Sequence, residues 1–110
     1  MSYLASAEGF ARFDTNVTNE MLNEIKKELP FIDEVSKYGN EVYFQQFRDA
    51  FDEDDTIPFL KHFVERFEDT LVDFELFYTG EDNEMWKYLL LDGDLVMQTA
   101  YIEWGDAEIL

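Results

Sequence analysis

Cysteine is absent from this chain of 110 residues, and histidine occurs once, proline twice and glycine five times. Without cysteine there is no disulfide framework, no thiolate nucleophile and no cysteine-based zinc site. The glycines are scattered at predicted turns, so no glycine-rich loop is available to cradle a phosphate group. These absences argue against several classes of enzyme and agree with a cytoplasmic protein.

Long apolar runs and a secretory leader are also absent from the sequence. No stretch approaches the roughly 18 consecutive apolar residues that indicate a membrane-spanning helix. The N-terminal residues MSYLASAEGFARF contain neither the basic segment nor the long apolar core of a signal peptide. We therefore expect a cytoplasmic protein that does not associate with membranes.

Basic residues are scarce, because eight lysines and arginines stand against 26 aspartates and glutamates, giving a net charge of −18. A folded chain of this mass exposes roughly 6,400 Å², on the order of one net negative charge per 350 Å². Small domains are comfortable at net charges of about 2–8 in magnitude, and the excess costs stability through self-repulsion. Such a surface repels nucleic acid and anionic lipid, so direct binding to either is not expected.

Aromatic residues, in contrast, are abundant. Eleven Phe, six Tyr and two Trp make up 17% of the chain, and hydrophobic residues make up 46%. Disordered acidic chains are poor in aromatics, and about 100–150 residues is the usual size of one domain. The composition therefore predicts one folded domain over residues 1–110.

Two segments have the apolar spacing of amphipathic helices. The first runs over 19–29, with Thr18 as its N-cap and Pro30 as its stop. The second follows Thr56, its predicted N-cap, carries Pro58 in its first turn, and ends near residues 69–71. The predicted buried stripes are Met21, Leu22, Ile25 and Leu29 in the first helix, and Leu60, Phe63, Val64, Phe67 and Leu71 in the second.

Strands are predicted before, between and after these helices. A leader of uncertain structure over 1–8 precedes the first strand, in which the spacing of Phe10 and Phe13 indicates a bulge or burial of both faces. A turn at Gly39-Asn40 indicates either a hairpin or a loop followed by one strand. The predicted strands are 9–14, 31–38, 41–47, 72–78, 85–91 and 95–104.

The last three strands form a predicted antiparallel meander. Asp92-Gly93 is a strong signal for a two-residue hairpin turn. Strict alternation places Val72, Phe74, Leu76 and Tyr78 on one buried face. The whole order indicates an α+β fold, with two helices packed on one face of a mainly antiparallel sheet. We expect a ferredoxin-like variant with a C-terminal three-strand meander.

No catalytic or metal-binding motif stands out in the sequence. With 26 acids, close carboxylate pairs arise throughout the chain, and none is marked as an acid–base pair. The segment from Asp52 begins like a calcium loop, but Ile57 replaces the required glycine and Phe63 the bidentate glutamate. His62 has no matched serine or cysteine for a triad. We predict no catalytic residues, no metal and no cofactor.

The acid run Asp49–Asp55 is the strongest candidate for a binding surface. It lies immediately before the second helix, whose apolar stripe should hold it rigid, and rigid charge loses less entropy on binding. Aromatic anchors surrounded by charge are typical of protein interfaces, and Tyr43, Phe47, Phe51, Phe77 and Tyr101 are candidates for exposure. The predicted partner-binding residues are Asp49, Asp52, Glu53, Asp54, Asp55, Glu81, Asp82, Glu84, Phe51 and Tyr43.

The small size, dense negative charge, absence of cysteine and high aromatic content resemble the DNA-mimic inhibitors of phages and mobile elements, including anti-CRISPR and anti-restriction proteins. The run GEDNEMWKYLLLDGDLVMQTAYIEW at 80–104 also resembles small phage proteins with a GED…W…DG…W pattern. This run covers about a quarter of the chain and corresponds to a strand–turn–strand segment, so it supports origin and fold rather than an activity. The resemblance implies an inhibitor, and it carries over no functional residues because such families share charge rather than a motif.

The predicted function is therefore non-enzymatic inhibition of a basic nucleic-acid-binding protein, such as a CRISPR effector or restriction enzyme. Duplex DNA carries one charge per about 1.7 Å of its axis, and a rigid acidic domain could occupy the basic channel that grips it. The alternatives are an immunity protein that neutralises a toxin nuclease, and an acidic structural or regulatory module without mimicry. The sequence leaves open whether the protein is a monomer or a dimer.

Overall fold

Two helices and six strands make up the computed structural model, which describes residues 3–82, 84–101 and 105–109, with Tyr101 described by its backbone alone. The elements are β1 (Leu4–Phe13), α1 (Asn19–Glu28), β2 (Glu34–Tyr38), β3 (Glu41–Ala50), α2 (Glu53–Arg66), β4 (Leu71–Thr79), β5 (Glu84–Leu91) and β6 (Asp94–Tyr101).

The six strands form one sheet in the order β2-β3-β1-β4-β5-β6. Every neighbouring pair is antiparallel. Buried side chains of both helices belong to the same hydrophobic cluster as the buried face of the sheet. The predicted α+β class, with two helices on one face of an antiparallel sheet, is confirmed. The first four strands and both helices follow one another as β-α-β-β-α-β, and β5 and β6 extend the sheet beyond β4.

The first strand begins earlier than predicted. Leu4–Glu8, expected to belong to a leader, pairs with β3 on one side, and Ser6–Glu8 pairs with β4 on the other. Backbone pairing on both sides supplies an order that the local sequence does not signal. Gly9 is required here by close approach, since a Cβ at this position would lie 2.1 Å from the carbonyl oxygen of Glu75.

The three-residue spacing of Phe10 and Phe13 follows from the regular alternation of β1, which places the two rings on opposite faces of the sheet. The pairing with β4 shifts between Arg12 and Phe13, so that Phe13 faces Leu71. Phe13 is fully buried, whereas Phe10 is partly exposed on the opposite face of the sheet. The extra residue at this shift, Val72, belongs to β4, so β1 itself has no bulge between Phe10 and Phe13, and Phe10 is only partly covered on its own face.

The first helix is close to its prediction. The Thr18 hydroxyl accepts a hydrogen bond from the Met21 N–H at 3.1 Å and caps the helix. Ile25 and Leu29 are buried, and Met21 and Leu22 pack at the edge of the core. The helix ends at Glu28, one residue before its predicted last residue.

The second helix begins four residues earlier than predicted, so Thr56 is not its N-cap. The cap is Asp52, whose Oδ1 accepts a hydrogen bond from the Asp54 N–H at 2.9 Å. Acids are favoured in the first turn by the helix dipole, which explains why α2 starts within the acid run. Thr56 is buried inside the helix, and Pro58 also lies within it rather than in the first turn.

The junction between α2 and β4 corrects two further predictions. The helix ends at Arg66, with Phe67 as its C-cap, so Leu71 belongs to β4 and not to the helix stripe. Leu71 is buried, whereas Val72, predicted to be on the buried face, is 52% exposed. The register shift opposite Phe13 is the physical reason, because it reverses the alternation at the start of β4.

The hairpins agree with the sequence signals. β2 and β3 form the hairpin alternative around Gly39, and Val42, Phe44 and Gln46 are buried on one face. Asp92 and Gly93 both have positive φ, 51° and 84°, as a two-residue type I′ turn requires. The predicted strand over 95–104 is observed as β6 up to Tyr101, and its residues 102–104 lie outside the described residues.

Phe63 of α2 is the centre of the contact between helices and sheet. Its ring centroid lies 5.4 Å from that of Phe74 and 6.3 Å from that of Phe44. Buried aromatic pairs of this kind contribute about 0.5–1.5 kcal/mol beyond the area they bury. On the opposite, open face of the sheet, Tyr43 and Phe47 are about half exposed, as predicted.

Candidate acidic groove

Every residue of the acid run Asp49–Asp55 lies in β3, in α2 or in the short link between them. Asp49 lies in β3, and its carboxylate accepts a hydrogen bond from the Ala50 N–H at 2.7 Å. Asp52 caps α2, and Glu53, Asp54 and Asp55 form the first turn of that helix. The four acids from Asp52 onward are exposed and are held in place by the helix that they begin.

Tyr3 connects this run to a second acidic segment, the turn Glu81–Glu84. Its carbonyl oxygen accepts a hydrogen bond from the Phe51 N–H at 2.7 Å. Its hydroxyl donates to the carboxylate of Glu84 and accepts from the Glu81 N–H at 3.0 Å. The Glu81 carboxylate in turn accepts from the Leu4 N–H at 3.1 Å. One N-terminal residue therefore fixes two acidic segments that are about thirty positions apart in the chain.

Burial, together with the hydrogen bond to Glu84, raises the pKa of Tyr3 to about 12. The hydroxyl is therefore protonated at neutral pH and available as a donor. Gly80 makes room for this arrangement, because a Cβ there would lie 2.1 Å from the Tyr3 hydroxyl and 2.7 Å from the Trp86 ring.

A groove of about 400 Å³ opens where these two segments meet the helix-facing side of β5 and β6. We call it the acidic groove. Among the described residues, aromatic and apolar side chains share its lining with three acids, and none of the lining residues is basic. The residues that line it are Tyr3, Phe51, Asp52, Glu53, Glu84, Met85, Trp86, Tyr88, Met97, Thr99 and Ala100.

The aromatic wall of the acidic groove is tightly stacked. The Trp86 ring is parallel to that of Tyr78, with centroids 5.3 Å apart, and Phe51 lies 5.1 Å from Trp86 and 4.8 Å from Tyr78. The Tyr78 hydroxyl donates to the buried Gln46 side chain at 2.7 Å. These contacts of Tyr78 hold the Trp86 and Phe51 rings in place, so the aromatic side of the groove is preformed.

Two buried polar atoms in this wall have no hydrogen-bond partner within the described residues. They are the indole nitrogen of Trp86 and the hydroxyl of Tyr88, on side chains that are 9% and 2% exposed. Burial and the nearby Glu53 carboxylate raise the pKa of Tyr88 to about 12, and the Trp86 indole N–H partly offsets this rise. The indole therefore lies near the hydroxyl, but outside hydrogen-bonding geometry. Unpaired buried polar groups cost about 1–3 kcal/mol each.

The predicted partner-binding residues are therefore brought together in part. The acidic groove is lined by Asp52, Glu53, Glu84 and Phe51, and Glu81 lies beside it through its contacts with Tyr3 and Leu4. Asp55 lines an adjacent hollow with Asp52 and Phe51, and Asp54 and Asp82 are exposed on the same two segments.

Tyr43 and Asp49 are not part of the acidic groove. Tyr43 lies on the open face of the sheet, opposite Phe10, and its hydroxyl donates to Glu41, which raises its pKa. Asp49 faces Ala5 across β1 and β3. Among the aromatic residues expected to be exposed, Phe51 and Phe77 are partly buried, and the side chain of Tyr101 lies outside the described residues.

Sequence reasoning missed the groove residues Tyr3, Trp86, Tyr88 and Met97. The alternation of β5 was a usable signal, since Trp86 and Tyr88 fall on the face that packs toward the helices. No local sequence pattern indicated a role for Tyr3, because the residues it bonds to, Phe51 and Glu84, lie about 50 and 80 positions further along the chain.

Three of the eight lysines and arginines form ion pairs in the part of the chain that the structure describes, and none of these pairs includes a residue that lines the acidic groove. Within the described residues, Arg12 pairs with Asp73, Arg66 with Glu24 and Lys87 with Glu75, and His62 contacts Glu28. None of these acids belongs to the Asp49–Asp55 run or to the Glu81–Glu84 turn. The negative charge of the groove is therefore not neutralised by these ion pairs.

Comparisons with protein-family models, curated proteins and solved structures find no match to this chain. The ferredoxin-like assignment therefore stays a prediction that rests on strand order. Among the described residues, no group of three or more histidine, aspartate or glutamate side chains could hold a metal ion. No helix in the described part of the chain is long and apolar enough to cross a membrane.

Proposed function

We propose that this protein is a non-enzymatic inhibitor that binds a basic nucleic-acid-binding protein and imitates the charge of a nucleic acid. The partner is a nuclease or effector of host defence, and the site of encounter is the cytoplasm. The resemblance to phage DNA-mimic inhibitors suggests this class of partner.

The observation that carries the proposal is the joining of two acidic segments at one groove, whose lining among the described residues includes no basic side chain. Glu53, Asp54 and Asp55 project from the rigid first turn of α2, and Glu81 and Glu84 are anchored by Tyr3. Fixed charges lose little entropy when they bind, and like-signed clefts steer an oppositely charged partner into fast encounter. This association weakens with salt, because the Debye length falls from about 10 Å at 0.1 M to about 3 Å at 1 M.

The neighbouring aromatic side chains add apolar contact to this charge. Phe51 and Trp86 lie directly beside Asp52, Glu53 and Glu84 in the acidic groove. Apolar anchors that are partly desolvated and surrounded by charge carry much of the energy of protein interfaces. Charge attracts any basic surface, so these anchors are the source of selectivity in this proposal.

Capture and competition test the proposal. The immobilised protein is exposed, at low and high salt, to lysates of bacteria that carry CRISPR or restriction systems, and bound proteins are challenged with duplex DNA. We expect basic nucleic-acid-binding enzymes that DNA and salt both release. Retention of such an enzyme in the presence of excess DNA would rule out mimicry. A captured toxin nuclease would identify the immunity protein instead.

Matched variants locate the binding surface. Glu53→Gln, Asp54→Asn and Asp55→Asn together remove three charges beside the groove while keeping side-chain shape and the Asp52 cap. The control carries Glu65→Gln, Glu68→Gln and Asp69→Asn, which remove the same charge from exposed positions at the other end of α2. We expect the first triple variant to lose capture and the control to keep it. Equal losses would mean that net charge, and not this site, governs binding.

A further inference from the structure

The acidic groove combines three features that together suit a particular ligand group. It has aromatic walls, carboxylates that come from two different elements, and no basic side chain in the part of its lining that the structure describes. Glu53 lines it from α2 and Glu84 from β5, so two separate elements bring negative charge to the groove that Tyr3 and Phe51 also line. A cation that also stacks on aromatic faces fits this environment.

A guanidinium group fits better than an ammonium group. It is planar, it presents five N–H donors in a fixed fork, and it stacks on aromatic rings, whereas an ammonium is a strongly hydrated point charge. The N–H groups of a guanidinium point in several directions, so they can bond to carboxylates that reach the groove from both α2 and β5. The groove volume of about 400 Å³ lies within the range of small-ligand sites, about 300–1,000 Å³.

The unpaired polar atoms of Trp86 and Tyr88 point independently to a ligand. A fold that needed only a hydrophobic wall would be more stable with phenylalanine in place of Tyr88, because a buried hydroxyl without a partner costs stability. Tyr88 lines the same groove as Glu53, whose carboxylate contributes to the raised pKa of the Tyr88 hydroxyl. A ligand that pairs with the hydroxyl would explain why the protein keeps a tyrosine here despite the loss of stability.

We propose that the acidic groove is a binding site for the guanidinium group of an arginine side chain supplied by the basic partner. This inference rests on the proposed function, because arginine is the residue with which nucleic-acid-binding proteins commonly grip phosphates. The arginine inserts between the Phe51 and Trp86 side and the carboxylates of Glu53 and Glu84, and these carboxylates take the place of the phosphate that the arginine would otherwise grip.

The test uses a small probe and needs no partner. Nα-acetyl-arginine amide is titrated into the full-length protein, and the indole N–H signal of Trp86 is followed by NMR, with Trp104→Phe used to assign it. For a ligand of about 15 heavy atoms we expect a Kd on the order of 1 mM. The citrulline derivative has the same shape without the charge and serves as the control ligand, and the lysine derivative tests the preference for guanidinium.

Two variants test the residues of the site. Glu53→Gln removes one carboxylate, and we expect it to weaken arginine binding by about tenfold, the usual size of a charge-assisted hydrogen bond. Tyr88→Phe removes only the unpaired hydroxyl and keeps the ring, so it should remain folded and bind arginine more weakly. Glu68→Gln, an exposed change outside the groove, should bind arginine like the unaltered protein.

The outcomes separate this inference from the proposed function. Saturable shifts with arginine, none with citrulline and weakening in Glu53→Gln support it, whether or not a DNA-displaced partner is found. Absence of a shift at about thirty times the expected Kd overturns it. Equal responses to arginine and lysine, or unchanged affinity in both Glu53→Gln and Tyr88→Phe, also overturn it. In those cases a partner that DNA displaces would leave the proposed function standing.

Discussion

The hydroxyl of Tyr3 donates a hydrogen bond to the carboxylate of Glu84, and this contact joins the start of β1 to the start of β5. The same residue is bonded through its backbone to Phe51, next to the N-cap of α2. Three parts of the chain that are distant in sequence thus meet at one tyrosine, and the acidic groove is the space that they enclose.

Removal of the Tyr3 hydroxyl should loosen this junction. We expect Tyr3→Phe to lower the free energy of unfolding by about 1 kcal/mol, the usual net value of a hydrogen bond to a partly exposed group. Urea denaturation measures the change. Tyr38→Phe is the matched control, because Tyr38 is 80% exposed and its removal should have almost no effect. An equal loss in both variants would mean that the contact with Glu84 contributes little.

Stability should fall at alkaline pH, and Tyr3 should account for part of the fall. Its pKa is about 12 in the folded protein and about 10 in the unfolded chain, so the folded state holds the proton more tightly. This contribution is complete below pH 10 and is lost as the pH rises toward 12. Burial raises the pKa of Tyr88 to about 12 as well, with the same sign. Denaturation midpoints between pH 8 and 11 should decline less steeply in Tyr3→Phe, and parallel declines would contradict this assignment.

Truncation of Phe63 should be the most damaging single change in the helix layer. The side chain is fully buried against Phe44, Phe67 and Phe74. Phe63→Ala should cost about 3–5 kcal/mol, because it removes buried surface and leaves a cavity. Phe59→Ala on the same helix is the control, since Phe59 is 41% exposed and should lose less. Thermal unfolding followed by circular dichroism compares the two, and similar losses would contradict the placement of Phe63 at the core.

Asp52 has a structural task that can be separated from its charge. Asp52→Ala should cost about 1 kcal/mol, because it removes the oxygen that accepts the Asp54 N–H. Asp52→Asn keeps a capping oxygen and should retain nearly full stability. The free energy of unfolding in urea distinguishes these outcomes. If both variants lost the same stability, the role of Asp52 would be electrostatic rather than that of a cap.

This role also changes how charge should be altered in the acid run. Reversal of Asp52, Glu53, Asp54 and Asp55 to lysine would remove the cap and place positive charge at the positive end of the helix dipole. Loss of binding in such a variant could follow from a damaged helix. Neutral isosteres at Glu53, Asp54 and Asp55, with Asp52 intact, avoid this ambiguity.

Local patterns were sufficient for most of the secondary structure. Thr18 and the spacing of Ile25 and Leu29 predicted α1 almost to the residue, and Asp92-Gly93 predicted its hairpin. These signals succeeded because a cap or a tight turn involves atoms within four positions of each other. The start of α2 was missed although Asp52 was available, because Thr56 and Pro58 offered a competing local signal.

The composition of the chain determined a folded domain with a dense negative charge and no cysteine chemistry, and the spacing and order of its apolar residues determined the α+β class. Only the tertiary structure decided where that charge becomes a site. Glu53 and Glu84 line one groove because β4 carries the chain from α2 to β5, and because Tyr3 bonds to both neighbourhoods. Tyr43, equally plausible from sequence, lies on the other face of the sheet. Strand order and the alternation of faces act over tens of residues, and no local preference encodes them.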